Sequence, residues 1–261
     1  MFILPEKSFI NDIIDDMKWS FSRLNSFYSC PRSWFYTYIM KMNEKENFFS
    51  QYGTFAHSIF EKYNKEELEI FELGNYFANN YENNVTIEAP PNKYVNLNES
   101  YFEKGYNYFN NFEGNDDKTI GSELEFSFDL FAYGKKRKFV GFIDRVSEDE
   151  NGIIITDYKS KGKFKSKEEL NNYARQLYIY SIAVKQKFGK YPYKLVFNQF
   201  KENKIVEIDF DIEELKNTVK WINKTFELIY NEVDFKKNEN DFFCYWLCSC
   251  KDICDRDSEI I

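Results

Sequence analysis

Proline is scarce, with 5 in 261 residues, so few positions break a helix or withhold a strand hydrogen bond, and long elements are expected. No stretch nears the roughly 18 consecutive apolar residues of a membrane-spanning helix. The opening Met1-Phe2-Ile3-Leu4-Pro5-Glu6 has no basic leader ahead of a long apolar run, so a cytoplasmic protein without membrane attachment is expected. A Gly-x-x-x-x-Gly-Lys-Ser/Thr segment is also missing, which excludes a P-loop motor within this chain. Histidine occurs once, at position 57. Internal repeats and low-complexity linkers are absent.

Apolar residues make up 43% of the chain and aromatics 20%, too many for a disordered polymer. The 28 Phe and 20 Tyr are spread along the whole chain, a distribution that suits core packing, and the length suits one domain over residues 1–261. A net charge of −8 argues against a protein that coats nucleic acid by neutralising phosphates. Local basic patches still count within a Debye length. One is Lys135-Lys136-Arg137-Lys138, and another is the series Lys159, Lys161, Lys163, Lys165, Lys167; the plain alternative for either is a solvated face. Of the five cysteines, Cys244, Cys248, Cys250 and Cys254 crowd near the end while Cys30 stands far upstream. That pattern suits metal ligation better than a disulfide framework.

Residues 20–40 read as a helix capped by Ser20 or Ser22, which Pro31 kinks or restarts. Gly53-Thr54 precedes a second helix through about Glu69, and residues 75–118 are helical in part. Its aromatic rings can stack nucleobases or, as is usual, fill a core. From about 122 the period changes to that of strands: Glu123 to Phe131, Lys138 to Glu148, and Ile153 to Lys159. Residues 168–187 return to helix, 193–210 form a strand pair around Glu202-Asn203-Lys204, and a long helix follows with Ile212, Leu215, Val219, Ile222, Phe226 and Ile229 on one stripe. This order makes an α/β domain with one central mixed β-sheet flanked by helices.

Asn151-Gly152 between two strand-like runs is a hairpin signal. With a two-residue turn there, Asp144 opposes Lys159 and Val146 opposes Asp157. Asp144, Asp157 and Lys159 then share one face, unless a bulge intervenes. Two carboxylates in a partly buried site repel, and each is costly to desolvate. A divalent cation with oxygen ligands, Mg²⁺ or Mn²⁺, relieves both problems and can polarise a phosphoryl group. The plain alternative is an Asp–Lys cross-strand ion pair.

Gly141-Phe142-Ile143-Asp144 followed by Asp157-Tyr158-Lys159 resembles the G-x-x-D … D-x-K core of the PD-(D/E)XK nuclease superfamily. Gly53-Thr54-Phe55-Ala56-His57, Gln176-Leu177-Tyr178-Ile179-Tyr180, and Ser20-Phe21-Ser22-Arg23-Leu24 with Cys30-Pro31-Arg32 resemble further segments of its RecB-like branch. That branch includes the nuclease domain of AddB and CRISPR-associated RecB-like exonucleases. The resemblance implies a restriction-endonuclease-like core, with Asp144, Asp157, His57 and the Tyr158 carbonyl as metal ligands. It implies Lys159 as the catalytic lysine, and Gln176 and Tyr180 beside the site. It implies a [4Fe–4S] cluster on Cys30, Cys244, Cys248 and Cys254, forming a clasp between the N-terminal cysteine and residues 244–254. Cys250 is surplus or replaces Cys244, and Zn²⁺ is the other metal four thiolates suit.

The implied activity is metal-dependent hydrolysis of DNA, preferably single-stranded and from an end. The implied setting is DNA repair, recombination, or phage or CRISPR DNA processing, with any helicase or recombination partner supplied as a separate chain. An inactive DNA-binding scaffold that retains the fold and the cluster is the alternative, against which intact Asp144, Asp157 and Lys159 speak. A zinc-stabilised interaction module is a third reading. Glu123 or Glu125 is a candidate supporting carboxylate, and the alternation along this strand does not choose between them.

Overall fold

The computed structural model describes residues 4–43, 45–238 and 240–254. In chain order the regular elements are α1 (Lys7–Asp16), α2 (Phe21–Ser29), α3 (Pro31–Trp34), α4 (Phe48–Asn64), α5 (Leu73–Asn84), α6 (Leu97–Asn110), β1 (Lys118–Ala132), β2 (Lys135–Asp149), β3 (Gly152–Tyr158), α7 (Lys167–Phe188), β4 (Lys194–Gln199), β5 (Lys204–Asp209) and α8 (Ile212–Asn231). The five strands form one sheet in the order β1-β2-β3-β4-β5. β2 and β3 are antiparallel, β3 and β4 parallel, and β4 and β5 antiparallel. The sheet is therefore mixed, as expected, and α7 is the crossover that parallel β3 and β4 require. The chain divides into two compact units, residues 1–46, 127–141 and 216–261, and residues 47–126 and 142–215.

The second unit holds the motif-bearing strands. Asn47 and Ser50 form a reciprocal capping box that starts α4 at Phe48, ahead of the expected Gly53. Ser166 caps α7 through the Glu169 N–H, and Gly189, at φ 78°, ends it. Phe48, Tyr52, Phe55, Ile59 and Phe60 of α4, Phe77 and Tyr81 of α5, and Tyr108 and Phe109 of α6 belong to one buried cluster with Tyr158 and Phe200. These aromatics of residues 75–118 thus pack a core and present no faces to a base. α6 meets side chains of α4 and α5 closely at Gly105.

The β2–β3 hairpin differs from the expected register. Glu150 and Asn151 form the turn, Gly152 pairs with Asp149, and Val146 faces Ile155. The cause is the Asp149 carboxylate, which accepts the backbone N–H of Asn151 at 2.8 Å and of Gly152 at 3.0 Å. This side-chain turn displaces the two-residue Asn-Gly turn. Pairing slips by two residues, an even number, so Asp144 and Asp157 stay on one face.

In the first unit, Cys30 breaks the helix expected over residues 20–40. It is extended, with φ −164°, and caps α3, whose first residue is Pro31. A π-helical turn, Phe35–Ile39, follows. α1 lies ahead of the first expected helix and buries Ile10 and Ile14, one helical turn apart. Trp19 bridges to β2, accepting from Val140 N at 2.8 Å and donating its own N–H to the Lys138 carbonyl at 2.7 Å. The basic run 135–138 is mostly structural. Arg137 is 2% exposed and donates to Asp15 at 2.9 Å and Tyr230 at 2.7 Å, and Lys136 pairs with Asp129 at 2.9 Å.

A Cβ at Gly105 would lie 2.4 Å from Phe77 Cζ and 2.8 Å from the Tyr52 hydroxyl. Gly105→Ala therefore lowers stability by about 1–3 kcal/mol through overpacking, against a helix-propensity gain of about 1 kcal/mol. Chemical denaturation measures the difference, and a variant as stable as the parent would mean that this core yields.

Candidate active site

Every side chain of the site lies in the second unit. α4 supplies His57, β1 Glu123, β2 Asp144, β3 Asp157 and Tyr158, and α7 Gln176 and Tyr180; Lys159 follows β3 directly. Tyr158 anchors the assembly. Its ring stacks on Phe60 with centroids 3.7 Å apart at 3°, and its hydroxyl accepts from Asn64 at 3.2 Å. With the ring held, its backbone amide donates to Asp144 Oδ2 at 2.7 Å, and its carbonyl lies 2.9 Å from His57 Nε2.

A carbonyl can only accept, so this last contact places the imidazole proton on Nε2. Burial lowers the His57 pKa, with the Asp157 charge opposing, which keeps the ring neutral and Nδ1 bare. That lone pair faces Asp144 Oδ2 at 3.6 Å and Glu123 Oε1 at 4.0 Å. Burial pushes Asp144 well above the usual carboxylate range, with the Asp157 charge adding to it. Burial, then Asp144, also raises Glu123. The donor atoms of His57, Glu123 and Asp144 lie within 4.8 Å of one another. Three convergent donors, two of them carboxylates that burial and repulsion push toward protonation, fit a divalent cation, whose charge would keep them ionised.

Glu123 is the residue that alternation alone does not select. Its φ is +45°, a left-handed conformation inside β1. At Gly121 a Cβ would already meet Leu124 Cβ at 3.4 Å, so the strand kinks sharply over this segment. The kink breaks the period of two and leaves Glu123 half-buried beside His57, while Glu125 is exposed. A glycine inside a strand pattern is the signal for such a bulge.

Asp157 is 1% exposed, and its Oδ2 contacts Lys159 Nζ at 2.6 Å. Lys159 Nζ also donates to Gln176 Oε1 at 2.8 Å, and Gln176 Nε2 donates to the Tyr180 hydroxyl at 2.6 Å. Gln176 and Tyr180 are one helical turn apart on α7 and so reach the same point. The result is a chain Asp157–Lys159–Gln176–Tyr180 beside the His57–Glu123–Asp144 group. Lys161 is occupied elsewhere, by Glu169 at 2.5 Å and the Tyr173 ring at 4.0 Å.

The cysteines belong to the first unit. Cys30 is 6% exposed, and its sulfur accepts the N–H groups of Ser33 and Asn238, each at 3.5 Å. Cys248 Sγ lies 3.6 Å from the Ser33 hydroxyl, and Cys250 Sγ lies 3.9 Å from the Ser33 carbonyl. Cys244 Sγ lies 3.9 Å from the Asn238 carbonyl. A hydrogen bond with Cys248, then burial, raises the Cys250 thiol; burial and the neighbouring Cys30 and Cys248 raise Cys254, against Lys237 and Arg32. Cys250, expected to be surplus, is 2% exposed and sits among the others.

The site makes a direct distinction between the two β1 glutamates. Glu123→Gln weakens Mn²⁺ binding at least about tenfold, a loss of about 1.4 kcal/mol, and Glu125→Gln leaves it unchanged. Isothermal titration calorimetry on the two variants decides, and equal affinities would remove Glu123 from the ligand set.

Among solved structures, the chain is similar to SSO0001 at 21% identity and TM-score 0.32, over 51% of this chain and 58% of that one. It is also similar to a Eubacterium rectale protein, proposed by its name to be an exonuclease, at 12% identity and TM-score 0.46, over 97% of this chain and 94% of that one. No curated protein matches. The sequence pattern of one family matches residues 18–255, a span that includes His57, Asp144, Asp157, Lys159 and all five cysteines. The chain belongs to the PD-(D/E)XK nuclease superfamily.

Proposed function

We propose that the protein is a metal-dependent DNA nuclease that hydrolyses phosphodiester bonds, with single-stranded DNA cut from an end as its main substrate. The observation that carries the hydrolytic reading is the convergence of His57 Nδ1, Glu123 and Asp144 next to Lys159. The preference for single strands and ends rests on the RecB-like resemblance, as does a role in DNA repair, recombination, or phage or CRISPR DNA processing. Any unwinding belongs to a separate helicase partner.

His57, Glu123, Asp144 and Asp157 would hold Mg²⁺ or Mn²⁺, while the Tyr158 carbonyl, on the Nε2 side of the ring, orients the imidazole so that Nδ1 faces the ion. When bound, the cation supplies polarisation of the scissile phosphoryl group and charge neutralisation. Lys159, steadied by Asp157 and Gln176, orients the attacking water and offsets negative charge that develops on the phosphoryl oxygens. Gln176 and Tyr180 keep the ammonium from swinging away.

The thiolates of Cys30, Cys248, Cys254 and either Cys244 or Cys250 would hold a [4Fe–4S] cluster as a structural clasp. Four thiolates suit either metal, and the preference for iron–sulfur over zinc rests on the RecB-like resemblance.

Digestion of end-labelled DNA with Mg²⁺ or Mn²⁺ tests the nuclease. Asp157→Ala and Lys159→Ala each lose activity by at least about a hundredfold while still binding DNA. A folded wild-type protein that binds DNA and cleaves none would instead identify a scaffold. Iron content and the absorbance band near ~400 nm test the clasp. Cys30→Ala loses iron and thermal stability together, and comparison of Cys244→Ser with Cys250→Ser identifies the fourth ligand as the one whose loss lowers iron content. Full stability in Cys30→Ala would count against a structural cluster.

A further inference from the structure

Phe77, Tyr81, Tyr108 and Phe109 belong to the core, so a ring able to meet a nucleobase must lie elsewhere in the second unit. Phe142 of β2 is such a ring. It is 53% exposed, whereas Ile143, Asp144, Arg145 and Val146 after it are each at most 8% exposed. Side chains of a strand alternate between its two faces. Arg145 and Ser147 share one face of β2, where Arg145 Nη1 donates to the Ser147 hydroxyl at 3.2 Å. Phe142 and Asp144 therefore share the other face, about 7 Å apart along the strand. A lone exposed ring elsewhere on a surface carries no message. This one is two residues from a member of the His57, Glu123 and Asp144 donor group, where the nuclease reading puts the reacting phosphate.

Charge in the same unit points to a polyanionic strand as well. Lys163, Lys165 and Lys167, in the segment that follows Lys159 and leads into α7, are exposed. The residues alternating with them hold that segment in place. The Gly162 carbonyl accepts from Gln199 Nε2 at 2.8 Å, the Phe164 ring lies 5.2 Å from that of Phe197, and Ser166 caps α7. A ring face for a base and a fixed row of cations for phosphates are the two components of a single-strand groove.

We propose that Phe142 stacks an unpaired nucleobase of the DNA strand beside the reacting phosphate. The inference rests on the nuclease reading and deepens it by naming the substrate feature that the site holds. Bases of a duplex keep their faces on their neighbours, and only an unstacked base can offer one to Phe142. The ring thus gives a preference for single strands a cause in this chain's own residues. Stacking of this kind tolerates any sequence, since every base has a π-face.

The probes are a fluorescent oligothymidylate, an abasic strand of the same length and a blunt duplex, titrated by anisotropy in EDTA to prevent cleavage. Phe142→Ala binds oligothymidylate about tenfold more weakly than wild type, and binds the abasic strand and the duplex as wild type does. Phe142→Trp binds oligothymidylate at least as tightly as wild type, and its added fluorescence is quenched by that strand and not by the abasic one. The quenching is read whether or not Phe142→Ala folds. Wild-type affinity of Phe142→Ala for oligothymidylate would overturn the proposal, as would an equal loss on the abasic strand or unquenched fluorescence in Phe142→Trp. Cleavage by wild type under Mn²⁺ is scored separately: a base-dependent loss without cleavage sustains the platform and sinks the nuclease, whereas cleavage with no such loss does the reverse.

Discussion

Electron pairs from one imidazole and two carboxylates converge in the second unit, with Asp157 buried beside them. Left alone, such a group is unstable as an ionised set: burial and mutual repulsion drive Asp144 and Glu123 toward protonation. Most of the surrounding architecture serves to keep them close regardless. The mixed sheet brings Asp144 and Asp157 onto one face, and the kink in β1 brings Glu123 in from a third strand. A left-handed glutamate inside a strand costs on the order of 1–3 kcal/mol, which the rest of the fold offsets.

Position within the group is set by backbone more than by side chains. Tyr158 is held through its ring, and the strength of that hold passes to its amide and carbonyl, which orient Asp144 and His57 in turn. The same tyrosine therefore joins the aromatic core of α4, α5 and α6 to the polar site. Shift that core and the imidazole shifts with it. On the other side, α7 contributes a polar chain through Gln176 and Tyr180 that ends at Lys159, so core packing and proton bookkeeping meet at adjacent residues, 158 and 159.

The strands and the shared polar face of Asp144 and Asp157 were legible because period-two alternation and the Asp144, Asp157, Lys159 spacing are local properties. Exact register was not. It depends on Asp149 capturing two backbone N–H groups, a choice that competes with Asn151-Gly152 and is settled by the side chain. Glu123 and Glu125 could not be separated in the sequence, since their roles follow from a kink that alternation cannot encode, although Gly121 marks the place. The four-residue run 135–138 reads as a basic surface but includes Arg137, nearly fully enclosed, because its ion partner Asp15 lies far away in sequence. Composition does foretell the fate of Phe77, Tyr81, Tyr108 and Phe109, which a dense core absorbs, while Tyr94 stays exposed.

The solitary histidine has a consequence for observation. Because His57 is the chain's sole imidazole and sits against Asp144 and Glu123, any histidine resonance in a magnetic-resonance spectrum originates at this one place. Its two carbon-bound ring protons form a built-in reporter, without ambiguity of assignment among histidines, on tautomer, ion occupancy and local electric field.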